Sequence, residues 1–156
     1  MACSACLRVG AGVLWAQIAW SALAQSTYYV DGTCGNDAWT GTNSVCVAPN
    51  GPQRTIQAGI DARVTGDTVI VADGTYTQFG HRDLDFGGRD LVLGSAAGNP
   101  ILCVIDCQAS QSNPHRGFLF RSGETSATVV DGFTAMGGLQ TRGACRVLFP
   151  CWYGNP

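Results

Sequence analysis

Three acidic residues, Asp83, Asp85 and Asp90, are the first candidates for chemistry in this chain. Asp83 and Asp85 flank Leu84, so on a strand both carboxylates would share one face, with Asp90 nearby. Such a set could hold calcium, an ion that takes about six to eight oxygen ligands. No EF-hand or nonapeptide calcium motif accompanies them, and Asp beside Gly in a turn-rich chain ordinarily serves turn hydrogen bonding. The expectation is no obligatory cofactor, with calcium at these three residues as the one candidate; Asp31 and Asp37 read as turn acids of the same kind. The two histidines each precede an arginine, His81-Arg82 and His115-Arg116. A general base could be built on either. No serine or cysteine nucleophile in a triad-like setting accompanies them, so both read as exposed loop side chains and no catalytic residue is assigned. Trp39, Tyr76 and Phe79 could stack on sugar rings, with packing against a loop or a cap as the competing use.

The surroundings of these residues follow from composition and from the first segment. A formal net charge of -2 with 13% charged residues leaves no basic surface for phosphates, which excludes nucleic acid as a partner. Residues 1–24 have the layout of a signal peptide: Arg8, an apolar stretch from Val9 to Leu23, and Ala22-Leu23-Ala24 as a small-residue cleavage site. Gln17 interrupts the apolar stretch, which is shorter than the roughly 20 residues of a bilayer span. Cleavage after Ala24, no membrane span afterwards, and a secreted or cell-surface location are the expectations.

Export would place Cys34, Cys46, Cys103, Cys107, Cys145 and Cys151 where disulfides persist. Cys34 and Cys46 enclose a Gly- and Asn-rich loop whose closure would stabilise by up to about 3 kcal/mol, and they are the expected pair. Cys103 and Cys107 would stand roughly 13 Å apart on a straight strand, so a bridge between them requires a turn. Zinc is disfavoured, because neither a CxxC pair nor a nearby histidine supplies ligand spacing.

The elements that must position these residues are mostly short strands. Twenty-one glycines, with many Thr, Val, Asp and Asn residues, predict strands and tight turns. Thr27-Tyr28-Tyr29-Val30, Asp67 to Ala72, Thr75-Tyr76, Asp90 to Leu93, Val104-Ile105, Phe118 to Phe120 and Thr128 to Val130 are β-prone runs separated by Gly, Asn and Asp. Val69, Leu91 and Phe118 suggest one irregular repeat of a solenoid. Between 55 and 64, Ile56, Ile60 and Val64 recur at helical spacing, with Thr55 as N-cap and Gly66 as a left-handed stop. That helix would lie across the first coil, covering both its strand edge and its core. An ordinary β-sandwich with one surface helix is the competing topology.

Tyr28-Tyr29-Val30-Asp31, Gly35-Asn36-Asp37 to Gly41-Thr42, Arg54 to Ala62, Gly66 to Val71 and Asp73-Gly74-Thr75-Tyr76 together resemble the N-terminal part of pectate-lyase-like β-helix proteins. Val129 to Thr134 is similar to coil sequence of the same group. The resemblance implies an all-β, right-handed parallel β-helix with a short N-terminal capping helix, cap and first coils occupying 25–134. Residues 135–156 depart from the pattern as a divergent tail, and the chain is expected to be a piece cut short by a frame change or early stop. The group contains polysaccharide lyases, glycoside hydrolases and exported proteins without activity, and its shared motif specifies fold rather than chemistry. The lyases' calcium-binding aspartates and basic catalyst match no position here. The expected function is an exported structural or adhesive module that binds polysaccharide or cell-surface components weakly. The alternative is the N-terminal fragment of a lyase or hydrolase acting on acidic polysaccharide.

Overall fold

The computed structural model describes residues 25–139. The export segment 1–24, Cys145, Cys151 and the tail from 140 lie outside the described residues. Nine short strands and one helix follow in order: β1 (Thr27–Val30), α1 (Ile56–Asp61), β2 (Thr68–Val71), β3 (Gly74–Tyr76), β4 (Leu84–Asp85), β5 (Val92–Ser95), β6 (Cys103–Asp106), β7 (Phe118–Leu119), β8 (Val129–Asp131) and β9 (Thr134–Met136). They form three open parallel sheets, ordered β1-β2-β5-β8, β3-β6-β9 and β4-β7. From β2 onward the chain visits the first, second and third sheets in turn, and then starts the same circuit again. The chain is therefore all-β with purely parallel pairing among the described residues.

Alternation along each strand builds the core. In β2, Thr68-Val69-Ile70-Val71, the β-branched residues suit extended backbone, and Val69 and Val71 are fully buried while Ile70 is half-buried. Parallel register stacks like on like: Tyr28, Val69, Leu93 and Val130 form one row, and Tyr76, Ile105 and Ala135 another. The row expected from Val69 through Leu91 to Phe118 is not formed. Val69 pairs with Leu93, whereas Phe118 pairs with Leu84 in a different sheet. Loops of unequal length between strands had hidden the true register. The strand pattern also continues to Met136, past the boundary expected at 134.

α1 begins as expected, since the Thr55 hydroxyl accepts from the Ala58 N–H at 3.2 Å. Ile56 and Ile60 are fully buried in the core. Val64 is not part of the cover: the helix ends at Asp61 and Val64 is 57% exposed. Gly66 does adopt a left-handed conformation, φ 99°, but in the turn before β2 rather than at the helix end. Arg63 is buried in place of Val64. Its Nε donates to Gly59 O and its Nη2 to Gln53 Oε1 and Thr40 O, while the guanidinium lies 3.4 Å from the Tyr28 ring centroid. Burial lowers the Arg63 pKa, and these acceptors together with the ring keep the charge satisfied.

The helix covers the core, but a loop covers the outer edge of β1. Tyr29 N–H donates to Gly41 O at 2.8 Å, Asp31 N–H to Gln53 O at 2.8 Å, and Gln53 N–H to Tyr29 O at 2.9 Å. The expected disulfide between Cys34 and Cys46 is formed in this loop, with Cα atoms 6.0 Å apart. At the opposite end, β7, β8 and β9 have no further strand partner among the described residues. Phe118, Phe120, Val130 and Phe133 are only partly buried there.

Candidate functional site

The loop joining β3 to β4 holds two of the three left-handed non-glycine residues among the described residues. Gln78 (φ 75°), Gly80 (φ 84°) and Asp83 (φ 53°) are all left-handed, a conformation that costs side-chain-bearing residues energy. Gly80 also admits no side chain, because a Cβ would stand 2.9 Å from Thr55 Cβ. That close approach lets Gly80 O accept the Gln57 N–H at 2.8 Å, so the loop satisfies a free donor in the first turn of α1. The loop thereby turns Phe79 outward, where it is 93% exposed.

Phe79 lines two clefts. The larger, about 500 Å³, is walled by Thr33, Arg54, Asp73, Gln78 and His81 among others. The smaller, about 260 Å³, is bounded by Gln57, Phe79, Gly80, Arg82, Asp83 and His115. The remaining expected aromatics behave differently. Trp39 is half-buried and lies against Gly51, where a Cβ would come within 2.5 Å of its ring. Tyr76 is 4% exposed, and its hydroxyl donates to Ala72 O at 2.6 Å. Inward alternation on β3 consigns Tyr76 to the core, which removes it as a stacking platform.

The three aspartates expected as calcium ligands are not brought together. Asp83 accepts from His115 Nδ1 and from the Arg116 N–H. Asp85 accepts from the Gly87 N–H and pairs with Arg121 at 2.9 Å; the Gly87 bond and then Arg121 hold its pKa below the usual value. Asp90 takes the Thr125 N–H and the hydroxyls of Thr125 and Thr128, which likewise lower its pKa. Each carboxylate ties its own turn to the next circuit of chain. Among the described residues, one group of potential ligands does lie within 4.8 Å, namely Asp31, Cys34 and Cys46. Its sulfurs are consumed in the disulfide and offer no thiolate.

Cys103 and Cys107 do not bridge. Both are buried free thiols on either side of buried Ile105, Cys103 opening β6 and Cys107 directly following it. Burial pushes the Cys103 thiol up to about 12 and raises that of Cys107 as well. These are core side chains rather than nucleophiles.

Neither histidine is a free loop side chain. His81 packs 5.1 Å from the Tyr76 ring, and burial lowers its pKa. His115 is 18% exposed, with Nδ1 2.5 Å from Asp83 Oδ2. The partnership of positions 83 and 115 spans 32 residues, and no local spacing signals it. Parallel stacking of β4 on β7 creates it. No family model, no curated protein and no solved structure matches the chain.

Proposed function

We propose that the chain is an exported, non-catalytic carbohydrate-binding module built as a right-handed parallel β-helix, with its ligand face around Phe79. The β-helix reading is supported by the repeated circuit through three parallel sheets and by the resemblance of residues 28–76 to pectate-lyase-like proteins. The Cys34–Cys46 bond is in keeping with an oxidising, extracellular location. No helix among the described residues is long and apolar enough to cross a membrane.

One observation carries the binding reading: an almost fully exposed phenylalanine lines both a larger, polar-walled cleft and a smaller, mostly apolar one. A sugar ring has apolar C–H faces and a hydroxyl rim. The first stack on an aromatic ring, and the second find partners in Thr33, Arg54, Asp73 and Gln78. The engagement of Asp83, Asp85 and Asp90 within the protein favours binding over a two-carboxylate hydrolytic centre.

The test is calorimetric titration of the full chain with oligogalacturonate, alginate oligosaccharides and neutral galactan oligosaccharides, with and without calcium. At least one is expected to bind, and Phe79→Ala should weaken it by about tenfold, the scale of one lost aromatic contact. Binding that Phe79→Ala leaves untouched contradicts the proposal. Release of unsaturated product would instead establish the polysaccharide lyase alternative.

A further inference from the structure

The larger cleft is lined from two parts of the chain: Gly32, Thr33, Arg54 and Thr55 before α1, and residues 73–79 with His81 in β3 and its flanking turns. The first part is held by the loop that Cys34–Cys46 closes. Thr33 immediately precedes Cys34, and the N–H groups of both donate to Asp31 Oδ1, at 2.8 and 3.1 Å. Inside the closed loop, Asp37 Oδ1 accepts the N–H groups of Arg54 and Thr55, both at 2.8 Å, and Oδ2 accepts the Thr55 hydroxyl at 3.1 Å. Thr33, Arg54 and Thr55 are therefore all fixed through chain that adjoins or lies within the bridged ring.

The bridge itself can be reached. Cys34 is exposed and Cys46 half-buried, whereas Cys103 and Cys107 lie in the core as thiols already. An exposed disulfide is open to exchange with an external thiol. Opening it leaves the outer part of the loop in place, because Thr40 N–H donates to Pro49 O, Gly41 N–H to Gly51 O and Asn43 N–H to Asn50 O without it. The stretch from Thr33 to Asp37 instead loses its covalent tie, and with it the restriction that ring closure imposes on the chain.

We propose that Cys34–Cys46 is a redox clamp on the larger cleft: closed, it holds Thr33 and Arg54 in place for a ligand; opened by a dithiol, it loosens that wall and weakens binding. In the exchange, a thiolate of the reductant attacks Cys34 Sγ and the S–S bond breaks, Cys46 leaving as a thiolate that takes up a proton. The reductant's second thiolate then displaces Cys34, so the dithiol is oxidised to a cyclic disulfide and the protein gains two thiols. The ligand rests on the carbohydrate reading above, whereas the coupling of the bridge to Arg54 and Thr55 rests on its own geometry.

Residue-resolved amide hydrogen exchange of the full chain tests the coupling, comparing the oxidised protein, the protein in dithiothreitol, and Cys34→Ser/Cys46→Ser. Both opened forms should exchange the Arg54 and Thr55 amides about tenfold faster than the oxidised chain, the scale of one weakened hydrogen bond. The Val92 and Ala96 amides, bonded between strands to Asp67 O and Val71 O, should keep their protection. Equal loss of protection at all four makes the bridge a global support and overturns the clamp. A change in dithiothreitol that Cys34→Ser/Cys46→Ser does not reproduce comes from another sulfur and also overturns it. Asp37→Ala with the bridge intact should speed the same two amides, and no change there overturns the route through Asp37. Oligogalacturonate, alginate oligosaccharides and neutral galactan oligosaccharides are the ligand probes in calorimetry. Any that the oxidised chain binds should bind either opened form about fivefold more weakly. Equal affinity overturns the clamp and spares the carbohydrate reading. No binding by the oxidised chain, with the exchange result as expected, overturns the carbohydrate ligand and upholds the coupling.

Discussion

Asp37 holds Thr55 twice, accepting its N–H on Oδ1 at 2.8 Å and its hydroxyl on Oδ2 at 3.1 Å. Oδ1 also accepts the Arg54 N–H at 2.8 Å. The first loop and the N-cap of α1 are therefore one cooperative unit. Asp37→Ala and Thr55→Ala should each cost about 1–2 kcal/mol in urea unfolding. The double variant should lose less than the sum, because the two residues share their bonds. Strict additivity would show that the loop and the helix start are stabilised independently.

Gly59 sits in the middle of α1, where alanine is normally the better helix former by about 1 kcal/mol. Here a Cβ would stand 2.5 Å from Val30 Cγ2 and 3.3 Å from Val69 Cγ1. Overpacking of about 1–3 kcal/mol outweighs the propensity gain, so Gly59→Ala should lower stability. Adding Val30→Ala should restore part of the loss. A stabilised Gly59→Ala variant would mean that the helix rides further from the sheet than these contacts allow.

Stability should fall on acidification through His81. Burial lowers its pKa below the usual 6.5, with Asp37 opposing the shift and Arg54 adding to it. The folded chain then binds this proton more weakly than the unfolded chain. The contribution of neutral His81 is complete above about pH 6.5 and is lost as pH falls through the lower folded value. Asp85, whose pKa is also lowered, acts in the same direction below about pH 4. Melting curves from about pH 7 to 5 should show a declining Tm, with a shallower decline in His81→Phe. A Tm independent of pH over that interval would contradict the burial of the ring.

The two classes of cysteine should separate chemically. Cys103 and Cys107, buried and held as thiols, should resist an aromatic disulfide reagent in the folded protein and react on unfolding. Reduction of Cys34–Cys46 should lower stability by up to about 3 kcal/mol, since it frees the loop that edges β1. Rapid labelling of both core thiols in native protein would show that β6 opens readily.

The N-cap at Thr55 and the strands around Val69 were legible because a local rule governs each: a hydroxyl before an apolar run, and β-branched residues in alternation. Long-range partners were not. Arg63 reads as the polar side of a helix until Gln53, Thr40 and Tyr28 are brought around it. Val64 continues the apolar spacing, yet the helix stops before the spacing does. The grouping of Asp83 with Asp85 and Asp90 followed their closeness in sequence. Their bonds instead run to His115, Arg121 and Thr125, one circuit of chain further on. The loops between stacked strands vary in length, so the sequence offers no fixed offset by which to foresee those pairs.

The two ends of the sheet stack are unlike. Gly41 and Gln53 occupy the outer backbone of β1, while β8 and β9 keep one side without a strand partner among the described residues. The architecture is thus directional: a further layer can be hydrogen-bonded onto the β8–β9 side, whereas the β1 side is sealed against one. Length is then a variable that can change at a single growing face, and the larger cleft beside Phe79, walled in part by Thr33, Arg54 and Thr55 at the sealed end, keeps those walls whatever is added.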